Sequence, residues 1–254
     1  MFSLEDKAAF ITGAAGGIGF AVAKRYTEAG AKVVIADIVD GSKAAEDICA
    51  HFISIDVSDE ENVSSALGEA ASLVGTLDIV VNNAGVGNVG PTFEETDREL
   101  LERTTKINQF GVFYGLKHAP SRMSDGGSII NTSSLAAHIN LPGNGVYSAT
   151  KKAVVSMTEM AALELGPRAI RVNAVSPGYV DTALGSGDEG RKLCEAFTAL
   201  GRFATTDDLI GVYHFLAADE SSYITGQTIK VDGWWSCGPT GQLLARIIGS
   251  DKVS

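Results

Sequence analysis

Short apolar runs alternate with segments of helical periodicity along the whole chain. The first run, residues 8–11, leads into a glycine-rich turn and then a helix predicted over 20–29. Further runs predict strands at residues 32–37, 51–57, 78–81, 128–131, 170–175 and 227–231, and helices at 42–48, 59–74, 97–117, 146–165 and 207–217. This alternation predicts an α/β protein with a doubly wound, seven-stranded parallel sheet and helices on both faces. Because no linker or repeat interrupts it, we expect one domain over residues 1–254.

The glycine-rich turn reads Thr12-Gly13-Ala14-Ala15-Gly16-Gly17-Ile18-Gly19. Residues without a Cβ let the backbone close on a phosphate, and the helix N-terminus supplies free N–H groups and a partial positive charge. Asp37 ends the next strand, eighteen residues past Gly19. At about that separation a carboxylate accepts hydrogen bonds from the adenosine ribose of NAD. Strand, turn, helix and acid together predict a dinucleotide site.

The remaining polar and glycine clusters also fall where predicted strands end. They lie at Asp56 and at residues 82–85, 132–134 and 177–182. Parallel strands bring their carboxyl ends to one edge of the sheet, so these clusters predict a single active face. The turns at the opposite ends, such as Gly30-Ala31 and Gly75-Thr76, are short and chemically plain.

Composition and charge narrow the class of partner. The net charge of −11 argues against nucleic acid, because such binding depends on neutralising phosphates. No apolar run reaches the roughly 18 residues of a membrane span, and the N-terminus lacks the pattern of an export signal. The three cysteines, Cys49, Cys194 and Cys237, are too widely spaced for a disulfide framework or a zinc site. We therefore expect a cytoplasmic protein with no metal, nucleic-acid or membrane partner.

Candidate acid/base chemistry lies between residues 131 and 151. Tyr147 and Lys151 stand four residues apart on a predicted helix, so they share one face. A phenol has a reference pKa of about 10, and a nearby ammonium can lower it by roughly 1–3 units. Ser134 follows the preceding strand and could donate a hydrogen bond to a carbonyl or alkoxide oxygen. Alone, a tyrosine and a lysine at this spacing are usually a solvated helix face, and a serine after a strand is usually a helix cap. Together, on a nucleotide-binding sheet, they predict hydride transfer with proton exchange by Tyr147.

Five motifs, in order, resemble those of the short-chain dehydrogenase/reductase family, and the likeness runs from Lys7 to Gly233. They are the turn Thr12–Gly19, the stretch Asn82-Asn83-Ala84-Gly85, the set Asn108, Ser134, Tyr147 and Lys151, the stretch Arg171–Gly178, and Thr182. The resemblance implies a single-domain Rossmann-type fold and a nicotinamide-dependent oxidoreductase. It also implies a homotetramer or a dimer.

The same resemblance implies a role for each of the four catalytic residues. Tyr147 is the acid/base, and Lys151 lowers the pKa of Tyr147 and binds the nicotinamide ribose. Ser134 orients the substrate oxygen, and Asn108 kinks its helix and holds a water that connects Lys151 to solvent. From spacing alone Asn108 would be a mid-helix polar residue facing solvent, so its role depends on the resemblance.

The motifs and the resemblance also indicate which residues contact the cofactor. These are Gly13, Gly16, Gly17, Ile18, Gly19, Asp37, Ile38, Asp56, Val57, Asn83, Ala84, Gly85, Tyr147, Lys151, Pro177, Gly178, Val180 and Thr182. Asp37 would repel the 2′-phosphate of NADP and accept hydrogen bonds from the ribose of NAD. Gly16 and Ile38, the residues best placed to pair with that phosphate, are not basic. We therefore expect NAD.

The expected substrate pocket is mostly apolar. Its wall comprises Val86, Gly87, Ala136, His138, Ile139, Leu141, Asn144, Tyr179 and Leu184. This lining favours a neutral cyclic or aryl-alkyl secondary alcohol or its ketone, with a steroid or sugar-derived alcohol as the alternative. His138 is expected to be an ordinary loop histidine rather than a substrate contact. An acyl-carrier-protein substrate is not expected, because that acidic partner would meet another acidic surface.

Two further segments carry separate expectations. Residues 181–192 are expected to form a substrate lid, and residues 236–254 a C-terminal extension that covers a neighbouring subunit or packs on its own. Just before that extension, Asp232-Gly233-Trp234-Trp235 departs from the Asp-Gly-Gly usual in the family. A different class of function is a catalytically silent NAD-sensing or structural protein, which would have no need for the acid/base residues.

Overall fold

Seven parallel strands form one sheet in the computed structural model, which describes residues 2–87, 90–182 and 188–249. In chain order they are β1 (Ala8–Thr12), β2 (Lys32–Asp37), β3 (His51–Ser54), β4 (Leu77–Asn82), β5 (Met123–Thr132), β6 (Arg171–Pro177) and β7 (Thr228–Val231). Side by side they run β3-β2-β1-β4-β5-β6-β7. The predicted α/β fold, a doubly wound Rossmann-type sheet of seven parallel strands, is confirmed.

The helices of the described residues cover both faces of this sheet. They are α1 (Gly17–Glu28), α2 (Ser42–Asp47), α3 (Glu60–Val74), α4 (Arg98–Thr105), α5 (Gly111–His118), α6 (Gly145–Leu165), α7 (Asp188–Phe197), α8 (Asp207–Ala217) and α9 (Gly241–Ile248). Helices α1 and α8 pack into the core on one face, and α3 and α6 into the core on the other. The sequence of β1 is apolar throughout because both faces of the strand are buried. Ala9 and Ile11 lie in the core on one face of the sheet, and Ala8 and Phe10 lie in the core on the other.

Two predicted helix starts are present with the expected capping. The carboxylate of Asp59 accepts a hydrogen bond from the backbone N–H of Asn62 at 2.8 Å, ahead of α3. Asp97 caps α4 in the same way, accepting from the N–H of Leu100 at 2.7 Å. Each bond satisfies a backbone donor that the first turn of a helix leaves unpaired.

Strand lengths differ from the prediction where pairing, rather than composition, sets the end. The predicted strand over 51–57 ends at Ser54, because its partner β2 ends at Asp37, opposite Ser54. Residues Asp56 and Val57 therefore lie in a turn beyond the strand. In contrast, β5 begins at Met123, five residues before the predicted start, because Met123 is already paired with Leu77.

The predicted helix over 97–117 is divided, and two helices, α7 and α9, were not predicted. A π-helical turn, Lys106–Phe110, separates α4 from α5. The helix α7 lies between the predicted strand at 170–175 and the predicted helix at 207–217, and α9 lies within the expected C-terminal extension. Residues 183–187 of the expected lid lie outside the described residues. Among the helices that the structure does describe, none has both the length and the apolar character needed to cross a bilayer.

Candidate active site

Two glycines of the turn before α1 are required by close packing. At Gly13, where φ is +65°, an added Cβ would lie 2.6 Å from the Cα of Ala84. At Gly19 it would collide with the carbonyl oxygen of Gly13. The space around Gly16 is open instead, on the side where the turn faces a cleft. The turn is thus pressed against the end of β4 while its backbone stays accessible to a ligand.

A chain of polar side chains holds this turn from behind; we call Asn83, Thr132 and Tyr213 the polar relay. The amide nitrogen of Asn83 donates to the carbonyl oxygens of Gly13 (2.9 Å) and Thr12 (3.1 Å). Its amide oxygen accepts from the Thr132 hydroxyl at 3.2 Å. The same Thr132 oxygen lies 2.8 Å from the hydroxyl oxygen of Tyr213 on α8. The glycine turn therefore depends on residues from β4, β5 and α8.

Asp37 presents its carboxylate at the cleft from the end of β2. One oxygen accepts from the N–H of Ala15 at 3.0 Å, and the other accepts from the N–H of Val39 at 3.1 Å. These bonds fix the carboxylate beside the glycine turn. A carboxylate oxygen has a further lone pair, so each can accept one more hydrogen bond from a ribose hydroxyl.

Lys151 is buried, and a hydrogen bond from its ammonium group fixes the direction of its side chain. Its Nζ donates to the carbonyl oxygen of Thr132 at 2.9 Å, and its backbone carbonyl accepts from the Ser133 hydroxyl at 2.9 Å. Burial disfavours the charged form and lowers the pKa of Lys151 to about 8. An ammonium has three donors, so two remain to face the cleft.

Tyr147 and Ser134 lie with Lys151 on the wall of the cleft. The Lys151 Nζ is 5.8 Å from the centroid of the Tyr147 ring. Burial raises the pKa of Tyr147, and a hydrogen bond with the Ser134 side chain acts in the opposite direction. The expectation that Lys151 lowers this pKa stays a prediction; in the structure burial has the larger effect on the phenol, and the Lys151 ammonium donates to the Thr132 carbonyl.

Asn108 lies inside the π-helical turn and is fully buried, so the alternative of a solvent-facing residue is wrong. Its side-chain oxygen accepts from the N–H of Val86 at 2.8 Å, and its nitrogen donates to the Val86 carbonyl at 2.9 Å. A Cβ added to Gly85 would lie 3.2 Å from the Asn108 oxygen and 3.4 Å from the Lys151 Nζ. The wide turn thus places Asn108 behind the cleft, next to the lysine.

These elements line one cleft of about 910 Å³. Of the residues expected to contact cofactor or substrate oxygen, it brings together Gly13, Gly16, Gly17, Ile18, Asp37, Ile38, Asp56, Val57, Asn83, Ala84, Gly85, Ser134, Tyr147, Lys151, Pro177, Gly178, Val180 and Thr182. Gly19 and Asn108 are buried behind the lining. Across the described ranges, no group of three or more His, Cys, Asp or Glu side chains is placed to hold a metal ion.

The expected substrate wall is present at the same cleft, with two exceptions. Val86, Gly87, Ala136, Ile139, Leu141, Asn144 and Tyr179 line it. His138 does not; its Nε2 lies 3.0 Å from the Ser176 hydroxyl oxygen, and burial lowers its pKa. Leu184 lies outside the described residues.

Several residues of the site were not predicted from the sequence. Arg103 and Ile107 line the cleft from consecutive turns of the helix that carries Asn108. Their spacing of i and i+4 could have indicated this. Tyr213 gave no such signal, because only the fold brings the end of β5 against α8; Thr132 lies in the predicted cluster at 132–134, but its pairing with Asn83 and Tyr213 was not predicted.

Comparisons with known proteins agree with this geometry. A family model described as "Enoyl-(Acyl carrier protein) reductase" matches residues 13–236. Trans-4-hydroxycyclohexanecarboxylate dehydrogenase of Sinomonas cyclohexanicum is 39% identical over 251 residues, covering 92% of this chain and 95% of that protein. The mitochondrial borneol dehydrogenase of Lavandula x intermedia is 40% identical over 237 residues, covering 91% and 90%.

Two solved structures show the same fold. A short-chain type dehydrogenase/reductase from Mycobacterium marinum superposes with a TM-score of 0.88 at 38% identity, covering 93% of this chain and 98% of that one. A blue fluorescent protein from a metagenomic library, in complex with NADPH, gives 0.87 at 32% identity, covering 92% and 99%. The chain belongs to the short-chain dehydrogenase/reductase family. It is an oxidoreductase of a family that binds a nicotinamide cofactor.

Proposed function

We propose that the protein interconverts a secondary alcohol and its ketone with NAD(H) as the cofactor. The observation that carries this proposal is the placement of Ser134, Tyr147 and Lys151 on one wall of the cleft that begins at the glycine turn. These are an oxygen-binding donor, a proton donor or acceptor, and a fixed ammonium. A protein that only senses the cofactor has no need for such a set.

Each side chain has a step that its geometry permits. The bound nicotinamide would supply or accept the hydride. Tyr147 exchanges a proton with the substrate oxygen, and Ser134 donates a hydrogen bond to that oxygen as charge develops on it. Lys151, held by the Thr132 carbonyl, directs its two remaining donors toward the ribose and the phenol. Asn108, hydrogen-bonded to the backbone of Val86, would hold a water that connects Lys151 to solvent.

The proposal of NAD rather than NADP depends on Asp37. Its carboxylate is fixed beside the glycine turn, where it would accept from ribose hydroxyls and repel a 2′-phosphate. Ile38, next to it, is exposed and carries no charge to bind that phosphate. Among the described residues that line the cleft, the basic ones are Arg103 and Lys151. Arg103 is therefore the alternative that an experiment on cofactor choice must include.

Cofactor choice is tested by the dissociation constants of NADH and NADPH for three proteins. We expect the unsubstituted protein to prefer NADH, and Asp37→Asn to shift the ratio by about 2–4 kcal/mol, roughly 30- to 1,000-fold. Arg103→Ala should leave the ratio unchanged. Tighter binding of NADPH by the unsubstituted protein, lost in Arg103→Ala, would contradict the proposal.

The proposed substrate is a neutral cyclic or aryl-alkyl secondary alcohol, or the matching ketone. The wall formed by Val86, Ala136, Ile139 and Leu141 is apolar and offers no charge to an ionised substrate. Two relatives are named for action on ring alcohols: borneol, which is neutral, and hydroxycyclohexanecarboxylate, which shares the ring but carries a carboxylate. The test is the absorbance of reduced nicotinamide after mixing NAD with a panel of ring and open-chain secondary alcohols. No reduction with any of them, despite NADH binding, would favour the silent sensor.

The proposal also covers the oligomeric state of the protein, its cellular compartment and a lid over the pocket. Exposed apolar side chains on α5 and α6, among them Phe113, Met160 and Leu163, support association into a homotetramer or a dimer. Light scattering over a concentration series measures the oligomeric state directly.

The cysteines form no disulfide in the described part of the chain, which suits the reducing cytoplasm. We keep residues 181–192 as the proposed lid over the pocket.

A further inference from the structure

Three aromatic rings are stacked beside the cleft, where the sequence departs from the Asp-Gly-Gly of the family. The ring of Trp235 lies between Phe197 of α7 (centroids 5.3 Å apart, planes 12° apart) and Tyr179 (5.2 Å, 17°). Phe203 meets the Tyr179 ring at a tilt, with centroids 6.0 Å apart. Trp235 is buried and has no contact with the cleft itself. We call Phe197, Trp235 and Tyr179 the aromatic stack.

The aromatic stack belongs to a small hydrophobic cluster, separate from the two cores of the sheet, that opens into the cleft. Leu135 and Ile139 are members of this cluster, and both line the cleft together with Tyr179. Leu135 directly follows Ser134 in the chain. The cluster therefore begins one residue from the side chain that binds the substrate oxygen.

The turn that presents Trp235 is strained and tightly bonded. Trp234 has φ of +94°, a left-handed conformation that residues with a Cβ rarely adopt. Both oxygens of Asp232 hold the turn: one accepts from the N–H of Trp234 at 3.1 Å and the other from the N–H of Ser236 at 3.0 Å. Asp232 also abuts Gly178, where a Cβ would lie 2.9 Å from the Asp232 Cα. Such strain persists only where the surroundings impose it.

We propose that Trp235 is a positioning residue that holds the Tyr179 ring as a fixed wall of the substrate pocket, and that a cyclic substrate packs on this wall. The inference rests on the proposed alcohol–ketone function and deepens it by naming the residues that select the substrate. Tyr179 contacts the substrate; Trp235 acts through Tyr179.

Physical chemistry explains why a fixed aromatic wall favours a ring. A tyrosine stacked on Trp235 and contacted by the Phe203 ring has less side-chain freedom to lose on binding than one held by neither. A ring alcohol is equally rigid, whereas an open-chain alcohol of the same size must give up rotations of its own bonds. The wall is also flat and apolar, which matches the face of a ring.

The test compares two secondary alcohols of six carbons, cyclohexanol and 2-hexanol. In Trp235→Leu we expect the KM for cyclohexanol to rise by about tenfold with little change for 2-hexanol and in kcat. Trp235→Phe, which keeps a stacked ring, should restore most of the preference. Tyr179→Leu should match Trp235→Leu, and the double variant should be no worse than either, because both remove one wall. Unchanged binding of NADH shows that each variant is folded.

A second measurement does not require turnover. Trp234→Gly relieves the strained φ and leaves Trp235 as the single tryptophan of the chain. With NADH bound, titration with cyclohexanol should change the emission of Trp235, and titration with 2-hexanol should change it less. Equal KM changes for both alcohols, an additive double variant, or an emission that cyclohexanol does not alter would each overturn the inference. If the unsubstituted protein turns over neither alcohol, that result contradicts the proposed function instead. The emission titration then tests separately whether a cyclic alcohol packs on Tyr179.

Discussion

Lys151 is buried and Tyr147 is partly buried, and removal from water moves their pKa values in opposite directions. It lowers the pKa of the lysine to about 8 and raises that of the phenol above its usual value. The two groups are neighbours, with the Lys151 Nζ 5.8 Å from the centre of the Tyr147 ring, and a charged lysine at that distance would favour the phenolate that alcohol oxidation needs.

Alcohol oxidation should gain rate as the pH rises, through one apparent ionisation of this pair. Tyr147 must be deprotonated to act as a base, and a charged Lys151 favours that form. Lys151→Met keeps the stem and removes the charge, so kcat/KM should fall sharply and its midpoint should move to higher pH. The measurement is log kcat/KM against pH with a slow substrate. Superimposable profiles for the two proteins would mean that the lysine does not tune the phenol.

Tyr147→Phe should abolish turnover by several orders of magnitude while leaving the dissociation constant of NADH nearly unchanged. The substitution removes the oxygen that exchanges the proton and keeps the ring. Stopped-flow kinetics and a fluorescence titration of NADH measure the two quantities. Ser148→Ala, at the next position of α6, is the matched control. More than a tenth of the original rate in Tyr147→Phe would exclude the phenol as the acid/base.

At the scale of elements, the pattern of apolar residues predicted what depends on local sequence and missed what depends on partners. Strand β1 and the caps Asp59 and Asp97 follow from residue type alone. The end of β3 does not, because it is set by the length of β2. The helix α7 was missed because its apolar residues pack on the aromatic stack, which is assembled from distant parts of the chain.

The same distinction between local sequence and packing partners applies to the residues of the site. The glycine turn and the pair Tyr147 and Lys151 could be predicted, since each is a local spacing with a chemical meaning. The π-helical turn around Asn108 could not, because apolar spacing does not distinguish a single wide turn from a regular one. The polar relay could not be predicted for another reason, since Asn83, Thr132 and Tyr213 meet only after β4, β5 and α8 have packed.

Asp97→Ala should destabilise the protein by about 1 kcal/mol, because the N–H of Leu100 then loses its acceptor at the start of α4. Asp97→Ser keeps an oxygen in place and should cost much less. Urea unfolding of the three proteins gives the free energies of unfolding. Equal losses for alanine and serine would show that the capping bond is not the cause.

At the scale of the whole molecule, both ends of the described chain are tied to the core. Near the N-terminus, the Phe2 carbonyl lies 2.6 Å from Nε2 of His214 on α8, whose Nδ1 accepts from Arg25 of α1 at 2.9 Å. Near the C-terminus, the Thr240 hydroxyl donates to the Ala196 carbonyl of α7 at 2.8 Å. Helix α9 thus contacts α7 of the same chain, and Ile247 and Ile248 remain exposed.

Stability should depend on pH through His214. Burial and the Arg25 charge lower its pKa below the ordinary 6.5, because Nδ1 must stay unprotonated to accept from Arg25. The unfolded chain then binds more protons, so this stabilisation is complete above pH 6.5 and is lost as the pH falls through the folded pKa. Urea unfolding between pH 5 and 8 should show a flatter dependence for His214→Gln. His51→Gln, at an exposed histidine, should keep the original slope.

Removing residues 239–254 should weaken substrate binding more than cofactor binding. The deletion takes away α9 and the Thr240 bond to α7, the helix that carries Phe197 of the aromatic stack. Hydrogen exchange should become faster in α7 and stay unchanged in β1. Identical KM values and exchange rates in the shortened protein would show that the tail is passive.

The polar relay also has a consequence for how the protein is made. The glycine turn leaves the ribosome before the groups that brace it, which emerge in turn at positions 83, 132 and 213. A nascent chain can complete this bracing only after Tyr213 has emerged. A product truncated before Tyr213 therefore cannot form the relay behind its glycine turn.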